Sequence, residues 1–339
     1  MCPKNIREIE LKKILIIGLS CLGDNLLLTP AIKKIRETYK KAEIDIIIGP
    51  RAIEFVIENP WFSNYIIYDK KTHFLFKLIK KLREKRYDLT VDFRNSFIPF
   101  FVRSKYKLTF FKKEFFSEKF YTHESERILS FIEPFFGKGE TKLYFPYAAS
   151  YKEKIKEIFN DIGIKSSDII VSLNPGAKFA GKRWDKEKFA LLAKELMKIY
   201  GVKIIITGSK DEKKLTEELK EMIGEKGVFD FGGKTNLREL AAVYEFSDLV
   251  VSNDTGSMHL ACAVGTPVVA IFGPSNPYRY GPIGGKNFVV HSDIECFPCK
   301  KESKCKINFE CIKRIKVEDV LKYCCLILDE KEKGRLFEL

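Results

Sequence analysis

Short β-branched runs alternate with amphipathic helical segments along almost the whole chain, and this alternation constrains the fold more than any other feature. Residues 12–19 read as a buried strand, 29–41 as an amphipathic helix and 43–49 as a second strand. A helix near 51–58, a strand over 64–69, helical spacing over 73–86 and a strand over 87–93 follow. Such a βαβ rhythm closes as a parallel sheet with right-handed crossovers and helices on its faces. The stretch 97–120 interrupts it, mixing eight Phe with Arg103, Lys105, Lys107, Lys112, Lys113 and Lys119, and is expected on the rim of the first domain.

Residues 140–168 read as the passage between domains, and a second series then begins. It has strands over 169–176, 202–208, 248–254 and 266–273, with helices over 186–201, 211–224, 236–247 and 257–264. The expected class is therefore α/β, two Rossmann-like doubly wound domains in tandem, with ligand at the carboxyl ends of the strands. The expected boundaries are 1–150 and 151–325, followed by a helical tail over 326–339. A length of 339 residues suits two domains, and 45% hydrophobic with 31% charged residues supplies real cores.

The formal charge of +14 favours phosphorylated, nucleic-acid or anionic-membrane partners without choosing among them. The N-terminal apolar run is too short and wrongly flanked for a signal peptide, so a cytoplasmic location is expected. No stretch reaches the roughly 18 apolar residues of a spanning helix, which leaves peripheral membrane contact.

The first strand runs into Gly18, Gly23, Asp24 and Asn25. The glycine spacing is that of a phosphate-cradling loop, but Asp24 stands where that loop needs a lysine, and the dinucleotide fingerprint is absent. A carboxylate there suits accepting a proton from a substrate hydroxyl; capping the following helix is the alternative. In the second half, Asp254, Thr255, Gly256, Ser257 and His259 lie between a strand and a helix. Hydroxyls, free N–H groups and the helix dipole there suit a diphosphate. Asp254 acting only as a cap, with His259 a packed surface residue, is the plainer reading. Lys182 or Arg183 could neutralise a pyrophosphate leaving group, or form a solvated pair beside Trp184 as packing anchor. Glu212 could accept from ribose hydroxyls, or only complement its helix dipole.

Nine cysteines are an odd number, and Cys296, Cys299, Cys305 and Cys311 crowd one segment. Four thiolates can hold zinc or an iron–sulfur cluster. The second half of the segment lacks a C-x₂-C pair, so free thiols or local disulfides are the reading carried forward. Cys324 and Cys325 are expected to pack in a C-terminal helix.

The order of these blocks resembles glycosyltransferase family 9, the ADP-heptose:lipopolysaccharide heptosyltransferases, over nearly the whole chain. The residues that carry the resemblance are ILIIGLSCLGDNLLLTPAIKKIRETY, NPGAKFAGKRWDKEKFALLAKEL, TGSKDEK and SNDTGSMHLACAVGTPVVAIFGPSNP, with the later YGP and CFPC. It implies a GT-B fold whose domains face a central cleft, with acceptor on the first domain and nucleotide-sugar on the second. It further implies inverting, metal-independent transfer of heptose from an ADP-sugar to the inner core of lipopolysaccharide, with no cofactor required. Asp24 matches the family's general base, and Lys182, Glu212, Asp254, Thr255, Gly256 and His259 match its donor-binding positions. The loop at Ala177 and Lys178 departs from members that carry adjacent hydroxyl residues there. An anionic glycolipid acceptor fits the positive charge, with the basic Phe-rich segment resting on the inner face of the membrane. A nucleotide-dependent oxidoreductase would need the missing fingerprint, and a nucleic-acid-binding protein a recognition motif that is not seen.

Overall fold

A computed structural model describes residues 2–69, 72–110, 122–299 and 305–337, without the side chains of 72–77 and 332–337. The chain divides into two compact units, Met1–Tyr147 and Ala148–Leu339.

The first unit is built on five parallel strands: β1 Lys13–Ile17, β2 Glu43–Ile48, β3 Asn64–Ile67, β4 Tyr87–Asp92 and β5 Ser104–Thr109. Their spatial order is β3-β2-β1-β4-β5. β1 pairs with β2 (Ile14 opposite Ile44) and β4 (Ile14 opposite Leu89). Four consecutive residues of β1 are buried, because helices cover both faces of a parallel sheet and a central strand has no wet side. On one face Leu15, Ile17 and Ile47 pack with Leu78, Leu82, Ile98 and Val102.

β5 lies within the stretch expected to break the rhythm. It pairs in parallel with β4 from Tyr87 opposite Ser104 to Asp92 opposite Thr109. Only Leu108 of its six residues is buried. An edge strand has one hydrogen-bonded flank and tolerates Lys and Tyr along it, so its hydrophobic signal is faint. Lys112, Lys113 and Lys119 lie outside the described residues.

The second unit carries six parallel strands: β6 Ile170–Asn174, β7 Lys203–Ile206, β8 Val228–Asp230, β9 Leu249–Asn253, β10 Val268–Ile271 and β11 Phe288–Val290. They run in the order β11-β10-β9-β6-β7-β8. Three-residue β11 is too short to declare itself by periodicity. The chain winds outward from β6 to β8, returns to β9 and winds outward on the other side. The switch point therefore falls between β6 and β9, as it falls between β1 and β4 in the first unit, and α/β ligands bind at the carboxyl ends of such strands.

The break expected at 325/326 falls inside one helix, Val317–Phe337. Val320, Cys324, Ile327 and Leu328 recur at helical spacing and are buried in the core of the second sheet. Fully burying residues such as Ile327 and Leu328 is worth about 1.5–3 kcal/mol each. That gain keeps this part of the helix on the domain rather than in a separate tail. No helix among the described residues is long and apolar enough to cross a membrane.

Candidate active site

In the second unit β6 lies between β7 and β9, so the loops that leave these three strands are neighbours. Buried amides tie them together. Asn174, the last residue of β6, donates through Nδ2 to Thr207 Oγ1 (3.2 Å) and to the Thr207 carbonyl (3.3 Å). Thr255 Oγ1 donates to Asn174 Oδ1 at 3.5 Å. Asn253, the last residue of β9, donates to the Pro175 carbonyl (2.8 Å) and accepts from the Trp184 N–H (3.1 Å). Both asparagines are buried, where an unpaired amide would cost about 1–3 kcal/mol, so the bonds hold the loops in one arrangement. Thr207 Oγ1 also meets the hydroxyl of fully buried Tyr244 at 3.0 Å. Burial pushes the Tyr244 hydroxyl up to about 12, so it stays protonated at neutral pH.

Glu212 follows β7. Its Oε2 accepts from the Ser209 N–H and Oγ, both at 2.8 Å, in a capping box. The same carboxylate crosses the end of β6: a Cβ built on Gly176 would lie 2.1 Å from Glu212 Oε1. Only glycine admits this approach. One oxygen thus serves its own helical turn, while the other borders Gly176, where the β6 and β7 loops meet.

Lys182 and Asp254, 72 residues apart, form an ion pair at 2.7 Å. The carboxylate is 8% exposed and the lysine side chain 25%. Arg183 turns instead to the backbone, donating through Nε to the Ala177 carbonyl at 2.5 Å and closing the loop between them. The two adjacent cations therefore have different partners, Arg183 remaining exposed and Lys182 partly so. Trp184 is buried against Phe189, with ring centroids 5.0 Å apart, and its indole N–H donates to the Ile315 carbonyl at 3.0 Å.

The helix Gly256–Val264 starts at the end of β9, and Thr255 occupies its N-cap with extended backbone, φ −146° and ψ 172°. Asp254 precedes the cap, which corrects the reading of it as the capping residue. Gly256, the first helical residue, carries no side chain to shield the opening N–H groups and the positive end of the dipole. His259, fourth in the helix, is buried rather than a surface residue.

In the first unit, Asn25 locks the loop after β1. It accepts from the Leu19 N–H (3.0 Å) and donates to the carbonyls of Leu19 (3.1 Å) and Cys21 (2.7 Å). A Cβ on Gly18 would come within 2.7 Å of Asn25 Oδ1, so glycine is required there too. The following helix is Leu22–Leu27 with Cys21 at its N-cap. Asp24 is its third residue, in the first turn, and does not itself occupy the N-cap position.

Cys296 is exposed, Cys299 and Cys305 are half-buried and Cys311 is buried; all nine cysteines are free thiols. Burial, with smaller contributions from Cys305 and Cys296, pushes the Cys311 thiol up to about 11. Among the described residues no group of three or more His, Cys, Asp or Glu is arranged to hold a metal ion.

Residues 75–308 match the model of glycosyltransferase family 9 (heptosyltransferase). The chain belongs to glycosyltransferase family 9. The transferase assignment displaces the oxidoreductase and nucleic-acid readings. Among curated relatives, lipooligosaccharide heptosyltransferase 2 of Campylobacter jejuni is 29% identical over 310 residues, covering 88% of this chain and 93% of its own. Two solved structures share the fold. The family 9 glycosyltransferase of Veillonella parvula has a TM-score of 0.78 and 24% identity, over 95% of this chain and 99% of its own. The ADP-heptose LPS heptosyltransferase II of E. coli has a TM-score of 0.73 and 22% identity, over 94% and 99%. The GT-B type fold expected of a family 9 enzyme is thereby established.

Family resemblance in the sequence reached Asp24, Lys182, Glu212, Asp254, Thr255, Gly256 and His259. It missed Asn25, Thr207 and Tyr244, which hold the loops. Asn25 stands beside Asp24 and could have been suspected from its place in the turn. Thr207 and Tyr244 carry no such signal, since a hydroxyl at a strand end and a tyrosine in an amphipathic helix both read as ordinary packing.

Proposed function

We propose that this enzyme transfers heptose from an ADP-sugar to an anionic glycolipid acceptor of the lipopolysaccharide inner core, with inversion at the anomeric carbon. The observation that carries the reading is the convergence at the ends of β6, β7 and β9. There Gly176 with Glu212, Lys182 with Asp254, and the opening turn of Gly256–Val264 offer ribose acceptors beside diphosphate donors. The likeness to heptosyltransferases supports the choice of sugar.

In this mechanism the acceptor hydroxyl oxygen attacks the anomeric carbon while the bond from that carbon to the diphosphate oxygen breaks. The hydroxyl proton passes to the Asp24 carboxylate, and the electron pair of the broken bond leaves on ADP. Lys182 and the N–H groups following Thr255 offset the charge that develops there. His259 borders the same helix turn as a further donor-side group. No step is routed through a metal.

Incubation of purified enzyme with ADP-heptose and heptose-free core glycolipid is expected to yield heptosylated product and ADP, with a thermal shift for ADP and none for UDP, GDP or NAD. Specific stabilisation by another nucleotide, without turnover of ADP-heptose, overturns the donor assignment.

We place the enzyme peripherally at the inner face of the membrane. Phe97 and Phe100 are 80% and 77% exposed, their ring centroids 6.4 Å apart, on the short helical turn just before Arg103, Lys105 and Lys107. Exposed aromatics beside cations suit anionic headgroups. Co-sedimentation with vesicles containing anionic lipid is expected, and to be lost in a Phe97→Ser, Phe100→Ser double variant. Equal sedimentation of that variant sinks the membrane reading.

A further inference from the structure

The end of β4 holds a charged device in the first unit that the proposed chemistry leaves unused. Buried Asp92 accepts from the N–H groups of Arg94 and Ser96, both at 2.8 Å, and from Ser96 Oγ at 3.1 Å. Between them Asn95 adopts a left-handed conformation with φ +57°. This tight turn aims Arg94 across the switch point of the sheet, where Nη2 donates to Ser20 Oγ at 2.8 Å. Ser20 lies in the same loop as Cys21 and Asp24. The guanidinium also lies over the Tyr68 ring, 5.3 Å from its centroid, so the loops after β1, β3 and β4 meet at this one cation.

Its bonding is incomplete. Nη1 is buried with no hydrogen-bond partner among the described residues. A guanidinium carries five N–H donors in a rigid fork matched to carboxylate or phosphate oxygens, and an unpaired inner donor costs free energy until a partner completes it. Asp92 does not serve as that partner: its oxygens accept from the turn N–H groups and the Ser96 hydroxyl, and Nη1 is left without an acceptor. A cation tied to the loop of the general base but lacking a full set of acceptors is suited to an anionic oxygen on whatever molecule that base deprotonates.

We infer that Arg94 reads an anionic group, a carboxylate or a phosphate, on the acceptor, and so sets which acceptor hydroxyl is presented to Asp24. The inference rests on the first unit taking an anionic acceptor, and deepens that reading by assigning the residue that selects it.

Arg94→Gln and Arg94→Lys variants of the full chain, assayed with ADP-heptose and heptose-free core glycolipid, test it. Arg94→Gln is expected to raise the acceptor KM by about 10–100-fold, the usual worth of a charge-assisted hydrogen bond. The donor KM and melting temperature should stay near those of the parent. Arg94→Lys should recover only part of the loss, because a point charge lacks the fork. Carboxyl-reduced and dephosphorylated acceptors then separate the two anions. On the acceptor lacking the group that is read, parent and Arg94→Gln should converge to the same KM. An unchanged acceptor KM in Arg94→Gln, or an equal loss on all three acceptors, overturns the inference.

Calorimetric binding of the glycolipid without donor keeps the two readings apart. Arg94-dependent binding with no transfer from ADP-heptose sinks the donor assignment alone. Transfer with no Arg94 effect sinks this inference alone, and no glycolipid binding by the parent sinks it together with the acceptor assignment.

Discussion

Asp24→Asn is expected to lower turnover by about 10²–10⁴ while leaving ADP affinity and melting temperature near those of the parent, the usual worth of a positioned general base. Asparagine keeps the size and the hydrogen-bonding capacity of the side chain and loses only the ability to take a proton. Asp24 is the third residue of Leu22–Leu27, whose N-cap is Cys21, so it acts on the helix dipole as a first-turn carboxylate. Such an effect is worth about 0.3–1 kcal/mol, too little to collapse the fold. Nucleotide affinity should hold because the residues proposed to bind the donor belong to the other unit. Steady-state turnover, ADP titration and a melting curve on this one variant are the check. Turnover within a few-fold of the parent removes Asp24 as the base.

Lys182→Ala is expected to weaken ADP binding by about 10³-fold, more than the roughly 10–100-fold that the loss of one charge-assisted hydrogen bond to phosphate alone would produce. The excess comes from Asp254. Its carboxylate is 8% exposed and paired to Lys182 at 2.7 Å. Removing the lysine leaves a nearly buried anion beside the proposed diphosphate site, and breaking one partner of such a pair is the costly way to lose it. The double variant Lys182→Ala, Asp254→Asn should therefore regain part of the affinity, since the repelling charge goes as well. Calorimetric titration of both variants decides this. An unchanged Kd in Lys182→Ala excludes it from the donor site, and no recovery in the double variant shows that the ion pair has no part in binding.

The sheet strands were legible wherever the strand is central, because four or five consecutive apolar residues such as those of β1 have no other soluble use. β5, β8 and β11 were not, the first being a polar edge and the other two only three residues long. The tail was misplaced for a related reason. Val320, Cys324, Ile327 and Leu328 sit within a heavily charged helix whose apolar positions gain meaning only against the sheet they cover.

In the site, local chemistry marked the loops that leave the strands. Gly18 and Gly176 mark close backbone approaches, and Thr255-Gly256 opens a helix at a strand end. These are properties of a few adjacent residues, and the backbone conformations open to glycine and to short polar side chains make them readable in a string. Pairing between loops is a different matter. That Lys182 meets Asp254 across 72 residues, that Glu212 closes over Gly176, and that Arg94 reaches Ser20 across 74 follows from which strands lie side by side. Strand order is settled by how helices and strands bury one another over the whole domain, so no local pattern encodes it. The sequence by itself determined the parallel α/β class and the loops fit for chemistry. Only the tertiary structure decided which side chains face each other, because the free energy that chooses those partners is spread over the packed core.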